Sequence, residues 1–297
     1  MGSGNQVGQG SHAGRFAPSP TGALHAGSLL AALGSWLMAR SRGGRWLVRV
    51  EDIDPPREVP GMADRQLADL HAFGFAPDGP VWRQSARGDA YEAALQRLVA
   101  QGDAFACRCS RSDLAATGGI HRGCVESPSA DGQAWRLRMP DQRVGFVDAV
   151  RGPFAQDLAR DVGDIVLRRA DGAWAYHLAV VVDDAAQGVT EVVRGADLLD
   201  STPRQLWLQG RLGLPAPAYA HLPLLRTPDG AKLGKSLASA PVDPADPLPA
   251  LRRAWLALGQ VPAALDGVAT VDAALAQARE RFDATRIPSR DVTVDAE

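Results

Sequence analysis

Cysteine is scarce in this chain, with three residues in all, lying between Cys107 and Cys124. An odd, tightly clustered set excludes the disulfide framework that staples small secreted domains, and leaves either a metal site or free thiols. Long apolar runs are missing too; none approaches the roughly 20 residues that a membrane-spanning helix needs. No basic stretch followed by an apolar one opens the chain, so no secretory signal is read and the cytoplasm is the expected compartment. Net charge is nearly absent, -2 over 297 residues, so any nucleic-acid surface has to be a local basic patch. No internal repeat is found. The composition that remains, 45% hydrophobic and 22% charged, is that of a globular α/β chain of one large domain or two smaller ones. Residues 1–13, rich in Gly, Ser and Gln, are expected to form a disordered tail.

One stretch organises the rest. Arg15-Phe16-Ala17 reads as the end of a buried strand. Pro18-Ser19-Pro20 then makes a stiff exit, because each proline fixes its own φ and keeps the preceding residue out of the α region. After Gly22 a helix is predicted, with Leu29, Leu30, Leu33, Trp36 and Leu37 on one face of a 3.6-residue period. A strand that turns into a helix gathers free backbone N–H groups and the positive end of a dipole at one point, a natural phosphate site beside His25, Gly27 and Ser28. The plain alternative is an ordinary first βα unit.

Trp46 to Val50 is predicted to be the second parallel strand, carrying Glu51 and Asp52 at its carboxyl end, where open α/β sheets bind ligands. There a carboxylate can grip an amine or cap a turn. Helices are expected over Met62 to Phe73 and Asp89 to Gln101. Cys107, Cys109, His121 and Cys124 supply three sulfurs and an imidazole, the donor set of a closed tetrahedral Cys₃His zinc site. Trp135 to Met139 and Arg143 to Val150 alternate like strands. Asp164 to Arg169 and Trp174 to Tyr176 flank Asp171-Gly172, a hairpin signal. His177 to Asp184 is too apolar for a surface loop, and Val189 to Val193 reads as another buried strand ending in Arg194. Ser201-Thr202-Pro203 starts a helix that runs to about Arg211. Tyr219 to Leu225 resembles a last strand. Lys232 and Lys235 flank Leu233-Gly234 as a cationic loop able to meet polyphosphate oxygens. Pro241 to Pro249 reads as a proline-rich linker, followed by a helix from Leu251 to Leu258 and a small helical tail.

An arginine fork suits a carboxylate, and Glu51 suits an amine. With Arg15, Arg194 and two phosphate-binding elements, the parts suggest an acidic amino acid activated by ATP through positioning and charge stabilisation.

His25-Ala26-Gly27-Ser28 resembles the HIGH signature of class I aminoacyl-tRNA synthetases, and Lys232 to Ser236 their KMSKS loop. Arg15 to Gly22, Arg49 to Asp54, Tyr176 to Asp184 and Val193 to Leu198 resemble the glutamyl branch. The resemblance runs from Gly14 to Ser236. Ile53 to Glu58 and the cysteine insert are similar to the glutamyl-Q tRNA(Asp) synthetase family. That resemblance implies a Rossmann-type catalytic domain over 14–240, with an acceptor and zinc-binding insert at about 102–165. A linker and short helical region at 241–297 would follow, with no anticodon-binding domain. It also implies transfer of ATP-activated L-glutamate to queuosine at the wobble position of tRNA(Asp), by a monomer using ATP with Mg²⁺ and one structural Zn²⁺. Glutamate contacts would be Arg15, Phe16, Ala17, Pro18, Ser19, Glu51, Tyr176 and Arg194. ATP contacts would be His25, Gly27, Ser28, Lys232 and Lys235, with His25 and Lys235 catalytic. Ser28 replaces the last His of HIGH, as is usual in the glutamyl branch. Gly234 stands where KMSKS has Ser, and His121 where the family commonly has Tyr, one residue closer to Cys124. A paralogue loading another acceptor and a non-catalytic tRNA-binding module are the competing readings; a pure binding module has no need of both nucleotide signatures together.

Overall fold

Side chains alternate along the buried strands with period two, and the alternation sorts them into two chemistries. The computed structural model describes residues 12–110, 112–124, 132–231 and 240–294. Strands β1 (Ala13–Phe16), β2 (Arg45–Val50) and β3 (Trp82–Arg83) pair in parallel in the order β1-β2-β3. Between them come helices α1 (Ala26–Ser41) and α2 (Met62–Ala72), and after β3 comes α3 (Gly88–Ala100).

Strands β4 (Ala104–Cys107), β5 (Ala134–Leu137) and β8 (Ile165–Arg168) form an antiparallel sheet in the order β4-β5-β8. From it projects the hairpin of β6 (Arg143–Asp148) and β7 (Gly152–Asp157). The chain returns through α4 (Tyr176–Ala186), β9 (Glu191–Gly195), α5 (Thr202–Leu212) and β10 (Ala218–Leu222), with β9 and β10 parallel. Short β11 (Leu225–Arg226), helices α6 (Pro247–Ala257) and α7 (Val271–Arg281), and β12 (Val292–Thr293), paired with β11, complete the described chain.

β9 lies against β1: Thr190 N donates to the Ala13 carbonyl at 2.9 Å, and Ala13 N to Thr190 Oγ1 at 2.9 Å. The spatial order is therefore β3-β2-β1-β9-β10, a doubly wound arrangement that reverses between β1 and β9. Ligands bind outside the carboxyl ends of such strands at the reversal, here the ends that lead into Ala17 and Ala196.

Phe16, Trp46, Val48, Val193, Ala220 and Leu222 join one core, packed with α1, α6 and α7. Phe16 stacks on Trp46 with ring centroids 6.4 Å apart, and Trp46 Nε1 donates to Ser35 Oγ of α1 at 3.0 Å. The alternate residues Arg15, Arg49, Arg194 and His221 are also buried. This second face is polar as well as enclosed.

Several details differ from the sequence reading. α1 is buried nearly all round from Leu29 to Ala39 instead of along one stripe, because α6 and α7 cover its outer side. The proline-rich stretch is only partly a linker: Pro247 and Pro249 sit in the first turn of α6, where a missing N–H loses no helical bond. The Asp171-Gly172 turn forms, with Gly172 at φ +90°. Its second limb is reduced to a bridge between Arg168 and Trp174, after which Tyr176 opens α4. Among the described residues no helix is long and apolar enough to cross a membrane.

Candidate active site and metal centre

The exit from β1 has proline at two of three positions, so its carbonyls are the groups by which neighbours can hold it. Glu51 N donates to the Pro18 carbonyl and Val59 N to the Pro20 carbonyl, both at 2.9 Å. Gln66 of α2 donates from Nε2 to the carbonyls of Ser19 at 3.0 Å and Gly22 at 2.7 Å. The turn thus stands open between β2 and α2. One side borders a cavity of about 480 Å³ lined by residues including Phe16, Ala17, Pro18, Ser19, His25, Gly27, Ser28 and Asp197.

His25 is the N-cap of α1. Its Nδ1 accepts from Gly27 N at 3.1 Å and Ser28 N at 3.3 Å, while Ser28 Oγ accepts from His25 N at 3.3 Å. The expected set of free N–H groups is therefore corrected: the imidazole takes two of them, as a reciprocal cap does. Accepting at Nδ1 places the ring proton on Nε2, so a phosphate at this helix end would meet an imidazole N–H and the helix dipole. Pro241 bridges to His25, and Val242 N donates to the Leu24 carbonyl at 2.9 Å. Lys232 and Lys235 lie outside the described residues; Pro241, six residues beyond Lys235, sits at His25.

The other side of the turn borders a second cavity, of about 760 Å³, which shares Ala17, Ser19, Thr21 and Asp197 with the first. Glu51, Tyr176 and His177 are in its wall, and Arg136, Asp164 and Arg169 extend it toward the insert. Phe16 and Pro18 line the first cavity and not the second. A Cβ at Gly195, at the end of β9, would come within 2.7 Å of Asp197 Oδ1 and displace that side chain from the cavity edge.

Burial raises the Glu51 carboxyl above its usual range, and Arg49, with Nη2 3.5 Å from Oε1, only partly counteracts this. A carboxylate in that position gains from a substrate cation. Asp52 serves differently, accepting from Ser85 N at 2.9 Å and Ser85 Oγ at 2.7 Å as a turn cap. Burial likewise raises the Tyr176 hydroxyl, whose oxygen accepts from Arg194 Nη1 at 3.2 Å. Packing around the imidazole, with the positive charges of Arg204 and Arg194, pushes His177 down to about 3, so this ring is neutral.

Arg15 stands behind that wall. Its Nε and Nη2 reach Asp184 Oδ1 and Oδ2 at 3.3 and 3.4 Å, and Nη1 donates to the Val193 carbonyl at 3.3 Å. Arg49 Nη2 is 2.8 Å from Asp184 Oδ1. Asp183 accepts from Gln84, Arg87 and Tyr91. The Asp183-Asp184 pair, which spacing alone did not single out, is what allows two arginines to be buried beneath the site.

At the insert, the ligand atoms of Cys107, Cys109, His121 and Cys124 lie within 4.8 Å of one another. Cys107 ends β4, and its Sγ is 3.3 Å from His121 Nε2. His121 Nδ1 is 2.8 Å from Asp164 Oδ2, and Asp164 Oδ1 accepts from Met139 N at 2.8 Å. A carboxylate on Nδ1 turns Nε2 toward the sulfurs, which is how metal-binding histidines are oriented. The donor set and this carboxylate fit zinc, and they favour the imidazole as the fourth ligand.

Residues 13–245 match the family described as tRNA synthetases class I (E and Q), catalytic domain. The chain belongs to that family, and it is a ligase of the class I aminoacyl-tRNA synthetase type. Relatives similar over almost the whole length carry the name Glutamyl-Q tRNA(Asp) synthetase. One from Xanthomonas campestris pv. campestris is 61% identical over 284 residues, 95% of this chain and 95% of its own. Another from Pseudomonas aeruginosa is 53% identical over 280 residues, 94% of this chain and 96% of its own. Among solved structures, a glutamate tRNA ligase from Elizabethkingia meningosepticum in complex with its amino acid superposes with a TM-score of 0.80. It is 26% identical, and the match covers 97% of this chain and 68% of that one.

Proposed function

We propose that this protein activates L-glutamate with ATP, without tRNA, and transfers the glutamyl group to queuosine at the wobble position of tRNA(Asp). The observation that carries the reading is the pair of cavities joined at Ala17, Ser19, Thr21 and Asp197, one facing a helix N-terminus and the other a carboxylate–tyrosine wall. The names of the full-length relatives support the amino acid and the acceptor.

In this reading the first cavity holds ATP, with His25, Gly27 and Ser28 at the phosphates and Lys232 and Lys235 closing from the loop. Glutamate occupies the second, with its ammonium on Glu51 and its side-chain carboxylate toward Tyr176, which Arg194 backs; Ala17 and Ser19 of the turn line this cavity, and Arg15 stands behind the wall. An α-carboxylate oxygen attacks the α-phosphorus, a carbon-bound O–P bond forms, and the bond to pyrophosphate breaks. Mg²⁺ travels with ATP and offsets the charge of the leaving group. A hydroxyl of the acceptor then attacks the glutamyl carbonyl and AMP departs. The protein contributes geometry and charge and forms no covalent bond to substrate. Residues 14–240 form the catalytic unit, with the insert near 102–165 bearing on the acceptor and 241–297 bracing α1. The enzyme works as a monomer in the cytoplasm.

Glutamate-dependent ATP–pyrophosphate exchange is expected in the absence of tRNA. No exchange at saturating glutamate would overturn the catalytic reading. Labelled glutamate is expected to enter tRNA(Asp) containing queuosine and not the same tRNA lacking it; charging of queuosine-free tRNA(Glu) would assign a different acceptor.

Zinc held by Cys107, Cys109, His121 and Cys124 would tie β4 to the loop that follows it and keep the insert in shape. Metal analysis of the purified protein is expected to find zinc. Asp164→Ala is expected to lower zinc affinity by about 10–100-fold in chelator competition, since it removes the acceptor that orients His121. Unchanged affinity would show that Asp164 does not orient a zinc ligand.

A further inference from the structure

Arg194 is buried, and almost every hydrogen it can donate is already directed. Nη2 donates to the Leu198 carbonyl at 3.2 Å and to Thr202 Oγ1 at 2.9 Å. Nη1 donates to Tyr176 Oη at 3.2 Å. Nε donates to His221 Nε2 at 3.0 Å. The last bond is chemically demanding, because a histidine nitrogen accepts only when it carries no proton.

The other side of the ring satisfies that demand. His221 Nδ1 is 2.6 Å from Asp148 Oδ2, so the single ring proton sits on Nδ1 and donates to the carboxylate. Asp148 Oδ1 accepts from Val150 N, Arg151 N and His221 N at 3.0, 2.8 and 3.1 Å. Asp148 is the last residue of β6, so the turn end of the insert hairpin reaches a strand of the central sheet. The ring of His221 stacks on Tyr219 at 6.2 Å between centroids, with planes 9° apart. Burial opposes the Asp148 charge, but the bonds from His221 and three backbone N–H groups bring its carboxyl below the usual range. Burial likewise holds the imidazole below its ordinary value. The arrangement is a one-way chain of donors, from Arg194 to His221 to Asp148.

We infer that His221 and Asp148 are positioning residues for glutamate: Asp148 selects the Nδ1–H tautomer, and the bare Nε2 of that tautomer aims the Arg194 guanidinium at Tyr176. Tyr176, which accepts from Nη1, lines the second cavity, whereas Arg194 itself lies behind that wall, so the guanidinium bears on the cavity through the tyrosine. This inference rests on the assignment of the second cavity to glutamate. It adds to that assignment a residue pair that touches neither substrate.

The test uses the whole protein and the exchange reaction, with glutamate and ATP varied separately. His221→Gln keeps an acceptor oxygen for Arg194 and an N–H for Asp148; His221→Leu keeps neither. Asp148→Asn keeps the backbone contacts but presents an N–H to Nδ1, which drives the ring proton to Nε2, against Arg194. For His221→Leu and Asp148→Asn the expected result is a KM for glutamate raised roughly ten- to a hundredfold, the range for losing a hydrogen bond to a charged group. The KM for ATP and kcat should change little, and His221→Gln should recover most of the glutamate affinity. Thermal melting confirms that each variant is folded; if His221→Leu is not, the comparison of Asp148→Asn with His221→Gln decides. An unchanged KM for glutamate in a folded His221→Leu or Asp148→Asn overturns the inference. So does an equal defect in the Gln and Leu variants, or a parallel loss of ATP affinity. Failure of the unsubstituted protein to exchange at all would instead remove the assignment of the cavity, and this inference with it.

Discussion

Asp184→Asn is expected to lower folding stability by about 3–5 kcal/mol, the range for removing one partner of a buried ion pair and leaving the other unmatched. Two guanidinium groups depend on this carboxylate, Arg15 through Nε and Nη2 and Arg49 through Nη2 at 2.8 Å. Neither can turn to water, since Arg15 is 3% and Arg49 0% exposed. Asp183 is no substitute: it is engaged by Gln84, Arg87 and Tyr91, and its Oδ2 is 4.0 Å from Arg49 Nε. Burial opposes the Asp184 charge, and Arg15 and Arg49 more than offset it, so its folded pKa lies below the unfolded one. The sign follows from linkage. Its stabilisation is fully present above the unfolded carboxylate value of about 3.9 and is lost as pH falls through the lower folded value. Denaturant unfolding should therefore show the full gap between parent and variant at neutral pH and a narrowing gap under acid. A neutral-pH gap below about 1 kcal/mol would mean that the arginines are neutralised elsewhere. Glutamate affinity should fall as well, because Arg49, released from Asp184, would draw closer to Glu51 and quench the charge offered to the substrate ammonium.

This dependence marks the boundary of what spacing along the chain can reveal. The strands carrying Arg15, Arg49, Arg194 and His221 were readable as short strands, β-branched in the second (Trp46 to Val50) and in the one ending at Arg194. That some of these strands would be buried was also read from the sequence, but not that their second face would be a buried polar one. Which carboxylate meets which arginine was not, because the pairing of Arg15 with Asp184 crosses 169 residues. The same holds for Asp148, which falls inside the strand expected from Arg143 to Val150 and shows no partner until β10 is laid beside it. His25 was legible as a helix start, but its role as a cap needed the rotamer that turns Nδ1 back onto the first turn. The full enclosure of α1 was hidden for another reason: its cover, α6 and α7, comes some two hundred residues later and binds through Leu251, Trp255 and Leu275. The cysteine cluster was the most local feature and the easiest to read. The geometry adds Asp164, which no sequence spacing pointed to.

Lys235→Ala is expected to slow glutamate-dependent exchange by about 10²–10³-fold, the range for removing one group that stabilises charge developing in a transition state. Melting should stay within about 0.5 kcal/mol of the parent, as for substitutions away from a packed core. Lys235 is outside the described residues, so its role is argued from its anchors. Pro241 bridges to His25, and the separation from Lys235 is 241 − 235 = 6 residues. Even fully extended, that length of chain spans only about 20 Å, so the ammonium group is tethered within reach of the cavity that His25 caps. His25 supplies one N–H at that end, and Ser28 and Gly27 have their own N–H groups engaged by its Nδ1. The helix end alone is thus a weaker phosphate site than an uncapped one, and the additional positive charge has to come from elsewhere. Gly234 removes the hydroxyl that the related loops place beside this lysine, which puts more of the task on Lys235 itself. Lys235→Arg should restore little of the rate, because a planar fork on a stiffer head does not replace a compact ammonium at a single oxygen. A rate within threefold of the parent for Lys235→Ala would remove the lysine from the site and leave His25 and the helix dipole to act alone.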